Sequence, residues 1–197
     1  NLDPTNTMSY DRGESLVDIS GVGGSSTFYN SPTYEAESFG AIYLDATNQY
    51  IDFEAPGITS DVITVEMWAN IGDYKNHMFF GFNRYDIYCY NNAIGFNTAQ
   101  GDCYGISVEQ ATEIGVVNHW HHYVFEMHTG VNATTIANNK IWINGVEQSL
   151  SQINGSPSYI QANFNGGSGR IGGWRTSIGY LMEMYLGTFR IYNRALT

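Results

Sequence analysis

The sequence predicts an all-β fold, an antiparallel two-sheet jelly-roll sandwich, in a single domain spanning residues 1–197. Two observations carry this prediction. Short segments of alternating apolar and polar residues, about a dozen in all, recur at even spacing between turn residues, and no helical period exceeds a turn or two. The composition, with 22 Gly, 15 Tyr, 10 Phe and 4 Trp but only 14% charged residues, is typical of short aromatic strands joined by tight turns.

The first third of the chain is expected to contribute an edge strand, a hairpin-like pair and a central strand. Residues 16–19 are short enough for an edge strand, and the Ser- and Gly-rich residues 20–26 are expected to form a loop. Residues 41–44 and 49–54 flank a turn, which indicates a hairpin-like return. Residues 62–71 alternate between two partly apolar faces, the pattern of a central strand.

The remaining strands follow at short intervals. They are expected at residues 77–82, 85–90, 93–97, 103–108, 119–128, 140–143, 169–173 and 180–193. Residues 119–128 and 140–143 are expected to pair, and Asn144-Gly145 after them is a strong two-residue turn signal. Residues 129–139 are polar and are expected to form a loop.

The net charge of −11, from 19 acidic and 8 basic residues, limits the class of partner. A surface of this sign repels nucleic-acid backbones and anionic membranes, so neither is expected as a partner. It is compatible with divalent cations and with neutral sugars. No apolar run approaches the ~18 residues of a membrane span and no signal peptide begins the chain, so a mature or excised soluble piece is expected.

The two cysteines, Cys89 and Cys103, occur in similar settings, Tyr-Cys-Tyr and Asp-Cys-Tyr. A disulfide that closes a short loop between neighbouring strands is one interpretation. A pair of buried free thiols is the other, and the sequence leaves both open.

Four of the five histidines lie in one predicted strand, at His119, His121, His122 and His128. Strand alternation places the first two on one face and the last two on the other, with His122 and His128 about 20 Å apart. They therefore cannot form one metal site. We expect His122 to be half-buried, and His119 and His128 to be exposed.

Four segments match elements of a known family: residues 18–21, residues 43–51, residues 62–68 with 120–124, and residues 186–196. In these segments the chain resembles the laminin-G-like family, which has a concanavalin A-like jelly-roll fold and occurs in secreted bacterial and phage virion proteins. The closing run Arg-Ile-Tyr-Asn-Arg-Ala-Leu is the most specific match, and the resemblance covers nearly the whole chain.

The resemblance implies Ca²⁺ as the candidate cofactor. Asp18 and Asp45 fall on matching elements, and oxygen-rich loops suit calcium. Ala46 and Gln49 stand where the family usually has Gly and Asp, so a second carboxylate is missing from that element. The alternative interpretation is that each aspartate hydrogen-bonds the backbone of its own turn.

Glycan binding requires exposed aromatic rings beside polar hydrogen-bonding groups. The candidate residues are Tyr88, Tyr90 and Asn92 in one cluster, and Trp174 and Arg175 beyond the Gly-rich loop. More than half of the aromatic residues in such a sandwich are expected in the core. Trp174, which lies between Gly173 and Arg175, is expected to be exposed.

Catalysis is not expected, because Glu66, Glu126 and Glu183 are each isolated within their strands. Glucanases of this fold place the acid and the nucleophile on one strand and one face.

The sequence thus predicts a non-catalytic recognition or adhesion module on an extracellular or virion surface, which binds a glycan or cell-surface polysaccharide. The main alternative is a purely structural subunit or decoration protein of a phage particle or extracellular fibre. A polysaccharide-cleaving enzyme is a weaker alternative.

Overall fold

The computed structural model describes residues 1–72, 74–98, 101–129, 136–157 and 162–196. It confirms the all-β sandwich of two antiparallel sheets. The eight-stranded sheet contains, in spatial order, β1 (Ser25–Tyr29), β4 (Tyr50–Glu54), β14 (Ser168–Ile171), β6 (His77–Phe82), β7 (Tyr85–Tyr90), β8 (Ala93–Asn97), β9 (Cys103–Ile106) and β13 (Ser151–Asn154). The seven-stranded sheet contains β12 (Val146–Glu147), β11 (Lys140–Ile143), β10 (Trp120–His128), β5 (Val62–Ile71), β15 (Glu183–Tyr192), β3 (Ala41–Asp45) and β2 (Thr33–Glu35).

The strand β5 lies at the centre of the seven-stranded sheet, as predicted from its two partly apolar faces. It pairs with β10 on one side and β15 on the other. The predicted pairing of β10 with β11 is also confirmed. The turn Asn144-Gly145 joins β11 to β12 with φ values of 52° and 79°, the left-handed conformations that a type I′ hairpin turn requires.

Aromatic side chains from both sheets meet in the core. Phe80 of β6 is fully buried, and its ring centroid lies 5.4 Å from that of Phe125 on β10 and 5.8 Å from that of Phe189 on β15. Phe79 meets Tyr123 edge-on at 5.0 Å. Offset and edge-to-face contacts of this kind add to the free energy gained by burying the rings. These contacts between β6 of one sheet and β10 and β15 of the other hold the two sheets together.

A 3-10 helix, Ala162–Gly167, and a short α-helix, α1 (Val108–Ile114), interrupt the strands. The predicted strand 103–108 ends earlier, at Ile106, because Ser107 caps the helix: its side chain accepts from the Gln110 amide, and the Gln110 side chain accepts from the Ser107 amide. Gly115 ends the helix with φ 72°. None of the described helices has the length and apolar character needed to cross a membrane.

Two predictions for the N-terminal region are wrong. Residues 41–44 and 49–54 do not form a hairpin, because β3 pairs with β2 and β15 whereas β4 belongs to the other sheet. Residues 16–19 make an isolated bridge between Val17 and Ser25 and no strand. The Ser26 hydroxyl accepts from the Leu16 amide and donates to the Leu16 carbonyl. A side chain therefore satisfies the backbone groups of Leu16 that a neighbouring strand would otherwise bond. The edge strand is β1, which begins inside the expected loop.

The cysteines are free, which is the second of the two interpretations. Cys89 pairs with Ile94, which pairs with Ile106, so these three side chains point into the core. Cys103 is three residues from Ile106 and therefore points to the opposite face of the sheet. Burial raises the pKa of the Cys103 thiol to about 12, so it stays protonated at neutral pH.

Candidate functional site

An aromatic ring lies at the centre of the outer face of the seven-stranded sheet. Trp68 of β5 points away from the core because its neighbours Met67 and Ala69 point inward, and it is 45% exposed. The sheet register pairs it with His122 of β10, and the two ring centroids lie 5.2 Å apart.

A row of side chains crosses four strands beside Trp68. The register aligns Trp120 of β10, Asn70 of β5, Tyr185 of β15 and Tyr43 of β3. The rings of Tyr43 and Tyr185 lie 4.8 Å apart. Phe39, in the turn before β3, is 79% exposed and meets the Trp120 ring edge-on at 6.1 Å. We call the following set the aromatic face: Phe39, Tyr43, Trp68, Trp120, His122 and Tyr185.

A bulge in β15 keeps the middle of the aromatic face open. The register with β5 shifts between Leu186 and Phe189. Gly187 in this bulge lies against the two indoles, because an added Cβ would stand 3.2 Å from Trp68 Cβ and 3.4 Å from Trp120 Cζ3. The glycine therefore provides room for both tryptophan side chains.

The carboxylate of Glu66 anchors the polar side of the aromatic face. Tyr192 donates its hydroxyl hydrogen to Oε2 at 2.6 Å, while His122 Nε2 lies 3.0 Å and Arg190 Nη1 3.3 Å from Oε1. Burial acts to raise the pKa of Glu66, but the hydrogen bonds from Tyr192 and His122 and the charge of Arg190 outweigh it and lower the pKa. Glu66 is thus ionised at neutral pH, and both of its oxygens are engaged by neighbouring side chains.

A second carboxylate, Glu126, lies on the same face, on the neighbouring strand. The register pairs Glu126 with Thr64, two residues from Glu66, so the two glutamates are diagonal neighbours. Glu126 Oε1 lies 2.8 Å from His128 Nε2, and both line a polar groove of about 800 Å³.

The histidines divide between the two faces as predicted. His121 points inward, with Nε2 3.1 Å from the Gly115 carbonyl, while His122 and His128 lie on the outer face. His122 is half-buried and His119 exposed, as expected. His128 is partly buried and not exposed, because it packs against Glu126. Among the described residues no group of three His, Cys, Asp or Glu side chains could hold a metal ion.

Three of the predicted glycan-binding residues form one group: Tyr88 and Tyr90 lie on β7, and Tyr180 joins Tyr88 to Trp174 in the loop after β14. Tyr180 meets Trp174 edge-on at 5.7 Å and Tyr88 at 5.9 Å, and Tyr88 lies 5.9 Å from Tyr90. The expected exposure of Trp174 is wrong: it is half-buried, because Tyr180 packs against it.

The other two predicted residues flank this group in sequence. Asn92 lies in the turn between β7 and β8 with φ 71°. Arg175 follows Trp174, and its Nε is buried with no hydrogen-bond partner among the described residues.

The two candidate calcium ligands lie in separate turns. Asp18 accepts hydrogen bonds from the Asn1 amino group, from the Ser20 amide and hydroxyl, and from the Gly24 amide. Burial opposes ionisation of Asp18, but these bonds lower its pKa. Asp45 accepts from the Thr47 amide. Each aspartate therefore makes the turn-stabilising bonds of the alternative interpretation.

The family follows from a match over most of the chain. Residues 45–197 match a laminin-G-type family model, described as the concanavalin A-like lectin/glucanases superfamily. The chain belongs to this superfamily. The predicted resemblance is thereby confirmed. A search of curated protein sequences finds no match to the chain.

Solved structures of low sequence identity share the fold of this laminin-G-like domain. The receptor-binding domain of botulinum neurotoxin mosaic serotype C/D superposes with a TM-score of 0.63 at 12% identity, over 100% of this chain and 47% of that chain. The type C toxin, whose cell entry depends on interaction with two ganglioside molecules, superposes at 0.63 with 11% identity, over 100% and 48%. The chain thus spans about half the length of these toxin domains.

A third similar structure is a single domain of an enzyme. Domain 4 of an extracellular arabinanase from Geobacillus stearothermophilus, in complex with arabinotriose, superposes with a TM-score of 0.59 at 19% identity, over 100% of this chain and 92% of that chain. The structures that share the fold of this laminin-G-like domain thus include toxin receptor-binding domains and an arabinanase domain in complex with arabinotriose.

Sequence reasoning missed the aromatic face of this laminin-G-like domain. Alternation in β5 already placed Glu66 and Trp68 on one face, and polar neighbours two residues away, at Glu66 and Asn70, mark that face as the outer one. No comparable signal exists for Phe39, because it lies in a turn that strand periodicity does not describe. Tyr180 was expected to begin the last strand, but it lies in a bend and β15 begins only at Glu183.

Proposed function

We propose that the domain is a non-catalytic recognition module that binds a glycan on the aromatic face. One observation carries the proposal: Trp68, Trp120 and Phe39 form an open apolar surface bordered by hydrogen-bonding groups. Sugar rings have apolar faces that stack on aromatic side chains and hydroxyl rims that bond to amides and carboxylates. Asn70 and His122 supply such groups within the same rows of the sheet.

The state of Glu66 supports binding over catalysis. A glycosidase needs one carboxyl group with a raised pKa that donates a proton to the leaving oxygen. The pKa of Glu66 is lowered, and three side chains occupy its oxygens. Its diagonal neighbour Glu126 is the observation that favours a polysaccharide-cleaving enzyme as the weaker alternative.

The neighbouring structures support a role at a surface outside the cell. One is a domain of an extracellular arabinanase seen with arabinotriose, and others are toxin receptor-binding domains, one of them linked to gangliosides. We accordingly propose an extracellular or virion surface as the site of action, and a cell-surface polysaccharide or glycan as the partner.

The test is a glycan array followed by calorimetry on two variants, Trp68→Ala and Tyr29→Ala. Tyr29 is a matched control, since it is an aromatic residue of similar exposure on the other sheet. We expect Trp68→Ala to weaken binding of the identified glycan by about tenfold or more, since a stacked ring contributes about 1 kcal/mol or more beyond its buried area. Tyr29→Ala should bind as the wild type does.

Three results would contradict this proposal. If Trp68→Ala bound the glycan as tightly as the wild type does, the aromatic face would be excluded as the glycan-binding site. If the domain bound no glycan on the array but docked on a phage particle or fibre, the result would favour a structural subunit or decoration protein. Release of reducing ends from a polysaccharide panel, lost in Glu126→Gln, would favour the enzyme.

A further inference from the structure

We propose that the loop 172–182 and the adjoining end of β7 form a second binding site, which takes the acidic sugar unit of an anionic oligosaccharide. We call this site the tyrosine cluster, and it consists of Tyr88, Tyr90, Trp174, Arg175 and Tyr180. It lies on the eight-stranded sheet and shares no residue with the aromatic face. The two sites can therefore be tested independently.

The backbone of Tyr180 is strained to present its ring. Its φ is 53°, a left-handed conformation that is an outlier for a bulky side chain. The ring is 45% exposed although it packs against Trp174 and Tyr88. Strain held at an exposed aromatic residue is typical of ligand sites.

The loop that carries this ring is held rigid by Arg170. Nη1 of Arg170 donates to the carbonyls of Trp174 at 2.9 Å and Ser177 at 3.0 Å, and Asp52 pairs with the same guanidinium at 2.7 Å. The Tyr180 carbonyl accepts from the Met78 amide at 2.8 Å. A ligand would therefore meet a preorganised surface, which lowers the entropy lost on binding.

The tyrosine cluster contains one cation, Arg175, and no carboxylate. The neighbouring Arg170 is paired with Asp52, and Asp86 of β7 is fully buried. In a chain of net charge −11, Arg175 therefore supplies the charge that would attract an anion to this cluster.

The guanidinium of Arg175 is the group that would favour an acidic ligand over a neutral one. Its Nε is buried and has no acceptor among the described residues. Arg175 as a whole is only partly buried, and a carboxylate or sulfate would accept from its guanidinium in a charge-assisted hydrogen bond. The Tyr180 and Trp174 rings would stack against the sugar that carries the anionic group.

The experiment is calorimetry of the whole chain with oligouronates of several sugars, with their neutral methyl esters, and with sulfated oligosaccharides of the same length. Arg175→Gln removes the charge, and Arg12→Gln is its matched control, because Arg12 also lies beside a tyrosine ring, 5.7 Å from the Tyr34 centroid. We expect Arg175→Gln to weaken binding of the acidic ligand by about tenfold. Arg12→Gln should have no effect.

A second variant separates function from stability. Asparagine tolerates the left-handed conformation, so Tyr180→Asn should leave Tm unchanged or higher while it weakens binding. Preference for the sulfated ligand would identify sulfate as the anionic group. Equal binding of acids and methyl esters, loss of binding in Trp68→Ala alone, or no binding to any acidic oligosaccharide would overturn the proposal.

Discussion

At the scale of single residues, the carboxyl group of Asp86 on β7 lies in surroundings that disfavour its charged form. It is fully buried, and neither carboxyl oxygen has a hydrogen-bond partner among the described residues. Its side chain lies over Gly81 of the neighbouring strand, where an added Cβ would overlap it. Burial, together with the nearby charge of Asp102, raises the pKa of Asp86 well above its ordinary value of 3.8.

We predict that Asp86 makes the protein less stable as the pH rises. Because its folded pKa is raised, the folded state binds more protons than the unfolded state above about pH 4, so stability is lost as the pH rises through that window. The limiting slope is about 1.4 kcal/mol per pH unit. Asp86→Asn should remove this dependence and raise Tm at pH 7, as measured by thermal unfolding between pH 4 and 8.

The exposed Glu37 provides the control for this prediction. Glu37→Gln removes one negative charge as well, so it corrects for the change in net charge. If Tm of the wild type and of Asp86→Asn changed in parallel across the whole pH range, the ionisation of Asp86 would not be linked to folding.

At the scale of elements, the bulge in β15 links sheet geometry to the recognition surface. β5 and β10 pair without interruption from Val62 to Asn70 and place Trp68 and Trp120 on one face. Across β5, the register with β15 shifts, and this brings Gly187 beside both indoles. The spacing of the two tryptophan rings therefore depends on Gly187, which has no side chain to occupy the space between them.

We predict that Gly187→Ala weakens glycan binding severalfold with a smaller effect on stability. The new methyl group would stand 3.2 Å from the Trp68 carbonyl and 3.4 Å from the Trp120 ring, so the ring must shift. Overpacking of this kind costs about 1 kcal/mol. Titration of the array-identified glycan measures the effect. Unaltered affinity in Gly187→Ala would show that the indole spacing does not matter.

At the scale of the whole molecule, strand periodicity and turn chemistry were sufficient to predict the sandwich, the central position of β5 and the pairing of β10 with β11. They could not predict that β3 and β4 lie in different sheets, because a short turn between two apolar segments has the same sequence pattern in a hairpin and in a crossover between sheets. The candidate sites were predicted only in part. Trp174, Tyr88 and Tyr90 do meet, but through Tyr180, whose contacts depend on a loop conformation.

The contrast between a buried and an exposed phenylalanine gives a prediction for the stability of the sandwich. Phe80 is fully buried between the sheets and touches Phe125 and Phe189, whereas Phe39 is 79% exposed on the aromatic face. Phe80→Ala should lower the free energy of unfolding in urea by about 3–5 kcal/mol, because it removes buried apolar area and leaves a cavity.

Phe39→Ala makes the identical chemical change and should alter the free energy of unfolding by about 0.5 kcal/mol or less, since an exposed ring gains little from folding. It should weaken glycan binding, because the Phe39 ring extends the apolar surface beside Trp120. A large loss of stability in Phe39→Ala would mean that its turn holds the sheet together. The aromatic face would then be part of the structural framework, and the exposure of its rings would no longer argue for a ligand.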